Sequence, residues 1–314
     1  MKYSNSIALA LATICGFALS SYAQTDTILV NDTWADGNRT NAGPNGISGI
    51  DSAWWASATA ANTVPAAGDM RWVIPAGSLF NTTYFPSAIS PYAPAAVTLV
   101  NPGDTLAVTW TFALSGVSAN NANQNFLVGV VNTPGAHLAA NSSPAQELYS
   151  GYATFINMSG TLNQASPFAL REWTSTAAGS LLGTSANWGP NLALDGTSGN
   201  TGFENTTYTY YMSLTLGASG DLLITNSITG GTLLNGVGRE LVVYDDTTPQ
   251  TNSLGAITFD TFGVREGTSS ATAGQFDSSV FRVDFFTTTV PEPTTLALSA
   301  LGLLALAGYR RMGK

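Results

Sequence analysis

The sequence predicts an all-β fold, a single antiparallel β-sandwich of the jelly-roll type over residues 24–289, and three observations carry the prediction. Segments with a two-residue hydrophobic period recur along the chain, and Gly- and Asn-rich turns separate them. Charged residues make up only 9% of the chain against 44% hydrophobic, with much Thr, Ser, Asn and Gly, which suits strands and gives long helices little purchase. No fixed period repeats, which argues against a propeller or a solenoid.

Taken in order, residues 25–34 (TDTILVNDTW) open with a candidate strand. In residues 105–116 (TLAVTWTFALSG), Leu106, Val108, Trp110, Phe112 and Leu114 alternate with Ala and Thr, as in a strand with one buried face. Residues 124–132 (QNFLVGVVN) are apolar on both parities and suit burial on both faces. Residues 207–216 (TYTYYMSLTL) set Tyr208, Tyr210, Met212, Leu214 and Leu216 against mostly Thr and Ser. A Gly-rich loop at 217–220 turns that strand into DLLITNSI, a hairpin, and Gly230-Gly231 marks the next turn. RELVVYD, GAITFDTFGVRE and SSVFRVDFFT supply three more strands, the last with Phe281, Val283 and Phe285 on one face and Arg282 and Asp284 on the other. Residues 35–70 and 164–207 are too rich in Gly, Asn and Pro for regular strands and read as long loops, where function concentrates.

The two ends differ from this body. Lys2, an apolar run over residues 7–19 and small residues at Ser21 and Ala23 have the layout of a secretory signal peptide, residues 1–23, cut between Ala23 and Gln24. The only cysteine, Cys15, falls inside it, so the exported chain folds without disulfides. At the other end residues 294–309 carry no charge, and Arg310, Arg311 and Lys314 follow. That predicts a short membrane helix with its basic end cytoplasmic and the body outside.

Val290-Pro291-Glu292-Pro293, the short span and the Arg-rich end occur in order, opposite a signal peptide. Together, residues 290–314 resemble the PEP-CTERM sorting signal of Gram-negative bacteria. The resemblance implies recognition of Pro291, Glu292 and Pro293 by an exosortase-type membrane protease, transient anchoring in the inner membrane, and delivery to the cell surface or the extracellular matrix. It also implies company with exopolysaccharide and biofilm production. The segments NDTWADGNRTN, LAVTWTFAL with NFLVGVVN, and FRVDFFTTTVPEP resemble exported proteins of this kind whose body is a concanavalin- or laminin-G-like jelly roll.

Charge and residue chemistry narrow the function. Between the termini the basic residues are six Arg and no Lys, against 18 acids, a formal charge of 6 − 18 = −12. Such a body repels phosphate backbones, which excludes nucleic acid as a partner. His137 is the only histidine and reads as an exposed loop residue; one imidazole without cysteines cannot build a multi-imidazole zinc site. No serine sits in a Gly-x-Ser-x-Gly elbow, and no glycine loop runs into Lys-Ser or Lys-Thr. A glycoside hydrolase needs two facing carboxylates, and none of Glu147, Glu172, Glu204, Glu240 and Glu266 has an acid two to four residues away. Adjacent Asp245 and Asp246 point to opposite faces of a strand, so only carboxylates from separate strands could pair.

Two binding features remain. Trp54, Trp55, Trp173 and Trp188 lie in the long loops, as loop anchors or as platforms for sugar faces. Asp32, Asp36 and Asn38, with Asp284 from a neighbouring terminal strand, could supply oxygens to a structural calcium ion, although Asp-Gly-Asn is also a simple turn. The reading favoured is a non-enzymatic surface or matrix protein associated with extracellular polysaccharide; a lectin-like carbohydrate-binding module and a glycoside hydrolase are the alternatives.

Overall fold

The computed structural model describes residues 23–40, 43–44, 50–57, 62–73, 79–84, 96–119, 121–183, 185–251, 255–266 and 273–289. The signal-peptide run, the Val290–Pro293 motif, Arg310, Arg311 and the 294–309 span lie outside them; Ala23 and Gln24 begin the first strand. Among the described residues no helix is long and apolar enough to cross a membrane. Asp26–Phe286 form one compact unit.

Fifteen strands build two antiparallel sheets. In chain order they are β1 (Ala23–Asp32), β2 (Trp54–Ala56), β3 (Asn62–Ala66), β4 (Asp69–Val73), β5 (Leu79–Tyr84), β6 (Thr105–Ser115), β7 (Phe126–Asn132) and β8 (Ser150–Ile156). They continue as β9 (Phe168–Glu172), β10 (Ala193–Asp195), β11 (Thr207–Leu216), β12 (Leu222–Gly230), β13 (Arg239–Asp246), β14 (Thr261–Glu266) and β15 (Gln275–Thr289). The eight-stranded sheet runs β13-β12-β11-β6-β15-β4-β3, with β1 also on β15, and the seven-stranded sheet runs β10-β9-β8-β7-β14-β5-β2.

The alternation read from the sequence is the alternation that packs. Leu106, Val108, Trp110, Phe112 and Leu114 of β6 and Tyr208, Tyr210, Met212, Leu214 and Leu216 of β11 all point into the core between the sheets. Their strands pair directly, Trp110 opposite Tyr210. Facing them, Phe126, Val128 and Val130 of β7 and Phe262 and Val264 of β14 close the core from the other sheet. Aromatic rings dominate it: Trp72 stacks on Trp110 at 5.2 Å, and Trp54 meets Phe281 edge-on at 5.0 Å. Such pairs add about 0.5–1.5 kcal/mol each beyond the area they bury.

One irregularity sets the parity of β15. A bulge between Ser278 and Val280, opposite Phe112 and Thr111, inserts one residue. Phe276 and Ser278 therefore face the core before it, and Phe281 and Val283 after it. Ser278, turned inward, accepts the Trp110 indole N–H at 3.0 Å, which satisfies a donor that burial would otherwise leave unpaired.

The two regions read as long loops are only partly so. Residues 35–70 contain β2 and β3, and residues 164–207 contain β9 and β10. These strands are three to five residues long and are held by neighbours already in register, as Trp54 is opposite Thr83 and Leu170 opposite Thr154. Tertiary pairing overrides a local composition that disfavours strand.

Candidate functional site on the outer face of the seven-stranded sheet

β7 was expected to be buried on both faces, and it is, because the seven-stranded sheet carries a second core on its outer side. Leu127, Val131, Ala153, Phe155 and Ala169 project outward and are covered by Leu181, Leu182, Trp173 and Trp188 from the segment that follows β9. The cover is tied down by backbone: Trp173 N–H donates to the Gly151 carbonyl at 2.9 Å, and Gly189 N–H to the Glu172 carbonyl at 2.8 Å. Gly129 and Gly263 are cross-strand partners, and together they leave a notch that Leu182 fills. A Cβ on Gly129 would lie 2.8 Å from Leu182 Cδ2 and 3.0 Å from the Tyr152 carbonyl oxygen.

Beside the cover lies a pocket of about 300 Å³, at the small end of ligand-sized cavities. Leu127 and Phe155, cross-strand partners on β7 and β8, form its floor. Arg265, opposite Leu127 on β14, stands on one side; Arg171 of β9 stands on the other and lays its guanidinium 4.6 Å over the Phe155 ring. Asn123 and Gln124 form the rim, and the Gln124 amide is oriented by its Nε2–H donating to the Ser166 carbonyl at 2.7 Å. Arg265 Nη1 donates to the Leu182 carbonyl at 2.9 Å, while Arg171 Nη2 reaches Gln124 Oε1 at only 3.4 Å and its buried Nε has no partner. Burial alone shifts both guanidinium pKa values, downward. Arg71 and Arg282 are shifted upward instead, by hydrogen bonds to Asp277 and Asp284.

Trp54, Trp173 and Trp188 do something other than present platforms. Trp54 and Trp173 are 0% exposed and Trp188 is 5% exposed; Trp55 is half-buried. Trp54 belongs to the inter-sheet core, its indole N–H donating to Ser52 Oγ at 2.7 Å, and Trp173 packs edge-on against Trp188 at 5.4 Å beneath the cover. As glycan contacts Trp54, Trp173 and Trp188 are therefore corrected to loop anchors: long loops bury their largest apolar groups to hold themselves down.

The proposed calcium ligands do not assemble either. Asp32 Oδ1 accepts the Trp34 N–H at 2.7 Å and Asp32 Oδ2 accepts Ser52 N–H and Oγ at 2.9 and 2.7 Å. Asp36 accepts Asn38 N–H at 2.9 Å, Asn38 accepts Thr40 N–H at 3.0 Å, and Asp284 takes Arg282 through both oxygens. Among the described residues no group of three or more His, Cys, Asp or Glu could hold a metal ion. Asp32, Asp36 and Asn38 form three Asx turns, each side chain accepting the backbone N–H two residues on, within the sequence DTWADGNRT. The first of these turns holds buried Trp34 at φ +50°, a left-handed conformation rare for a bulky residue. These residues do not fit a calcium site.

Two further clusters join residues distant in sequence. His137, expected to be exposed, pairs with the buried carboxylate of Asp260 at 3.1 Å, beside Thr133 and Thr261, which also donate to it. Tyr152, Glu172 and Asp246 meet at one edge between the sheets. Tyr152 O–H donates to Asp246 Oδ2 at 2.6 Å, and Gln250 N–H donates to Glu172 Oε1 at 3.0 Å. Burial, reinforced by the Asp246 charge, pushes the Glu172 carboxyl up to about 7. Glu172 and Asp246 are thus the convergence from separate strands that spacing alone left open, with 9% and 4% exposure.

Residues 289–311 match the family model described as the PEP-CTERM protein-sorting motif. The chain carries that sorting motif at residues 289–311. Among curated proteins none matches the sequence. Solved structures similar to this chain include the Emp47p carbohydrate recognition domain, at 11% identity and a TM-score of 0.42, covering 77% of this chain and 92% of that one. Peanut lectin with a nine-residue peptide aligns at 10% identity and a TM-score of 0.42, over 86% of this chain and 100% of the lectin. The lumenal domain of VIP36, in a form bound to Ca2+ and Man3GlcNAc, aligns at 10% identity and 0.38, over 73% and 82%.

Proposed function

We propose that this chain is a non-enzymatic surface or matrix protein of a Gram-negative bacterium, a jelly-roll body held in the inner membrane by residues 294–309 until an exosortase-type protease processes it. In this reading it works in company with exopolysaccharide. The observation that carries it is the sorting motif at residues 289–311. Support for a non-enzymatic body comes from the burial of the Glu172–Asp246 pair: Tyr152 O–H and Gln250 N–H occupy these carboxylates, whereas glycosidase carboxylates flank the scissile bond. Replacing Pro291 and Pro293 with Ala in the full chain tests the sorting step in a host that carries an exosortase. The expected outcome is unprocessed protein retained in the inner membrane; normal release of the variant would contradict it.

The outer-face pocket favours a second reading, a lectin-like module that touches polysaccharide directly. Its apolar floor, amide rim and paired guanidinium groups are the side-chain chemistry that sugar rings and their substituents need. Saturable binding of the protein to the polysaccharide of its own matrix, lost on substitution at the pocket, is the outcome this reading expects. A folded protein that binds no polysaccharide would sink it.

A further inference from the structure

We infer that β1 is a clasp over the last residues of β15, and that it limits the rate at which the sorting motif is cut. The inference rests on the sorting reading above and adds a step that the folded body imposes. The end of β15 must leave β1 before a protease can take the motif.

β15 continues to Thr289, and the matched motif begins at that same residue. In the sequence only residues 290–293 separate the strand from the uncharged run at 294–309, and four residues extend over at most about 14 Å. A protease takes its substrate as a single extended segment, so backbone already bonded into a sheet has to open first. The residues just ahead of the motif are the last residues of β15. On one side of them the β6 ladder stops at Phe286, opposite Thr105. On the other, β4 pairs only with residues 275–278. Among the described strands that leaves β1 as the partner of β15 beyond Phe286, with Thr287 Oγ1 donating to the Thr25 carbonyl at 3.5 Å. Thr288, two residues before Val290, is still buried.

β1 is arranged to open from its outer end. Its inner end is fixed, because Leu29 and Val30 are buried in the core between the sheets. At its outer end Gln24, Thr25 and Asp26 are exposed. Asp26 lends its charge to Arg282 of β15, which Asp284 already holds at 2.7 Å. Among the described strands β1 pairs with β15 alone, so no second neighbour stiffens it. Solvent-exposed backbone bonds at a strand end open at little cost, so Gln24–Asp26 can fray while Leu29 and Val30 stay seated. When opening is fast against cleavage, the cutting rate follows the open fraction, and β1 thereby sets how long the body stays tethered. The order of events follows from the same pairing. The expected signal-peptide cut, between Ala23 and Gln24, also falls inside β1 and has to precede closure of the clasp. β15 is the last strand in the chain, so the clasp closes only when the whole body has been delivered.

The test follows loss of the tail from the full chain after a pulse of synthesis, in cells that carry an exosortase and in membranes isolated from them. Thr25→Cys with Thr287→Cys locks the clasp. Neighbouring positions on paired strands lie within reach of a disulfide, and the only native cysteine, Cys15, lies in the expected signal peptide. The oxidised double variant is expected to lose its tail at least about ten times more slowly than the parent, and each single variant at the parental rate. Dithiothreitol added to the isolated membranes should restore the rate, which separates a locked clasp from a misfolded body. Thr25→Pro and Asp26→Pro, made separately, loosen it: N–H groups of adjacent strand residues point to opposite sides, so one of the two removes a bond to β15. That variant should be cut about three- to tenfold faster. An oxidised double variant cut at the parental rate overturns the inference. If the disulfide does not form, the proline variants decide, and rates within about twofold of the parent for both overturn it. A parent that keeps its tail, or a Pro291→Ala, Pro293→Ala variant that loses it at the parental rate, sinks the sorting reading instead and takes the inference with it.

Discussion

Gly129→Ala puts one methyl group where Leu182 holds the cover onto the seven-stranded sheet. The added Cβ would sit 2.8 Å from Leu182 Cδ2, 3.0 Å from the Tyr152 carbonyl oxygen and 3.2 Å from the Ala153 Cβ. The carbonyl belongs to paired sheet backbone, so Leu182 must give way, and overpacking of this kind costs about 1–3 kcal/mol. Leu182→Ala alone removes a fully buried side chain and costs about 2–5 kcal/mol. In the double variant the methyl at 129 occupies part of the space that Leu182 vacates, so the two costs do not add. A favourable coupling of about 1–2 kcal/mol is expected, within the usual span for residues in contact. Guanidinium unfolding of the four proteins, followed by tryptophan fluorescence, reads it directly. Additivity within about 0.5 kcal/mol would refute the claim that the glycine notch is what seats the cover.

Three other outcomes follow from described contacts. The Glu172 carboxyl titrates near 7 in the folded chain against 4.5 for a free carboxyl, so the folded state holds an extra proton between those values and loses stability as pH rises through them. Glu172→Gln removes this slope: measured against the parent, the variant should gain about 1–3 kcal/mol between pH 5 and pH 8, and parallel stability curves would disprove it. Asp32→Ala orphans the Trp34 and Ser52 N–H donors and should cost at least about 2 kcal/mol in a denaturant titration; a loss under 0.5 kcal/mol would deny Asp32 its role in the turn. Stripping divalent cations should leave Tm where it was, and a rise of several degrees in millimolar calcium would show a site that Asp32, Asp36, Asn38 and Asp284 do not make.

Much of the fold is legible in the sequence, because strand periodicity reports which face is buried. The β6 and β11 alternations name their inward residues correctly, and the uniformly apolar β7 announces that both its faces are covered. The bulge in β15 is not legible, since an inserted residue flips the parity without changing the composition. The loop tryptophans were ambiguous for a similar reason: a buried anchor and an exposed platform demand the same residue, and only packing separates them. Of the Asx turns, the sequence shows only Asp-Gly-Asn as a simple turn, and a turn competes with a calcium reading for the same oxygens. The arginine pocket left no local signal, because Arg171 and Arg265 are 94 positions apart (265 − 171) and meet only through the register of four strands.

The most direct test of the central claim, delivery and processing through the C-terminal motif, is the intact mass of the protein recovered from the surface or medium of cells producing the full chain. The account predicts a mass that begins at Gln24 and lacks the hydrophobic tail beyond the Pro-Glu-Pro motif. A recovered protein that still carries residues 294–314 would contradict it.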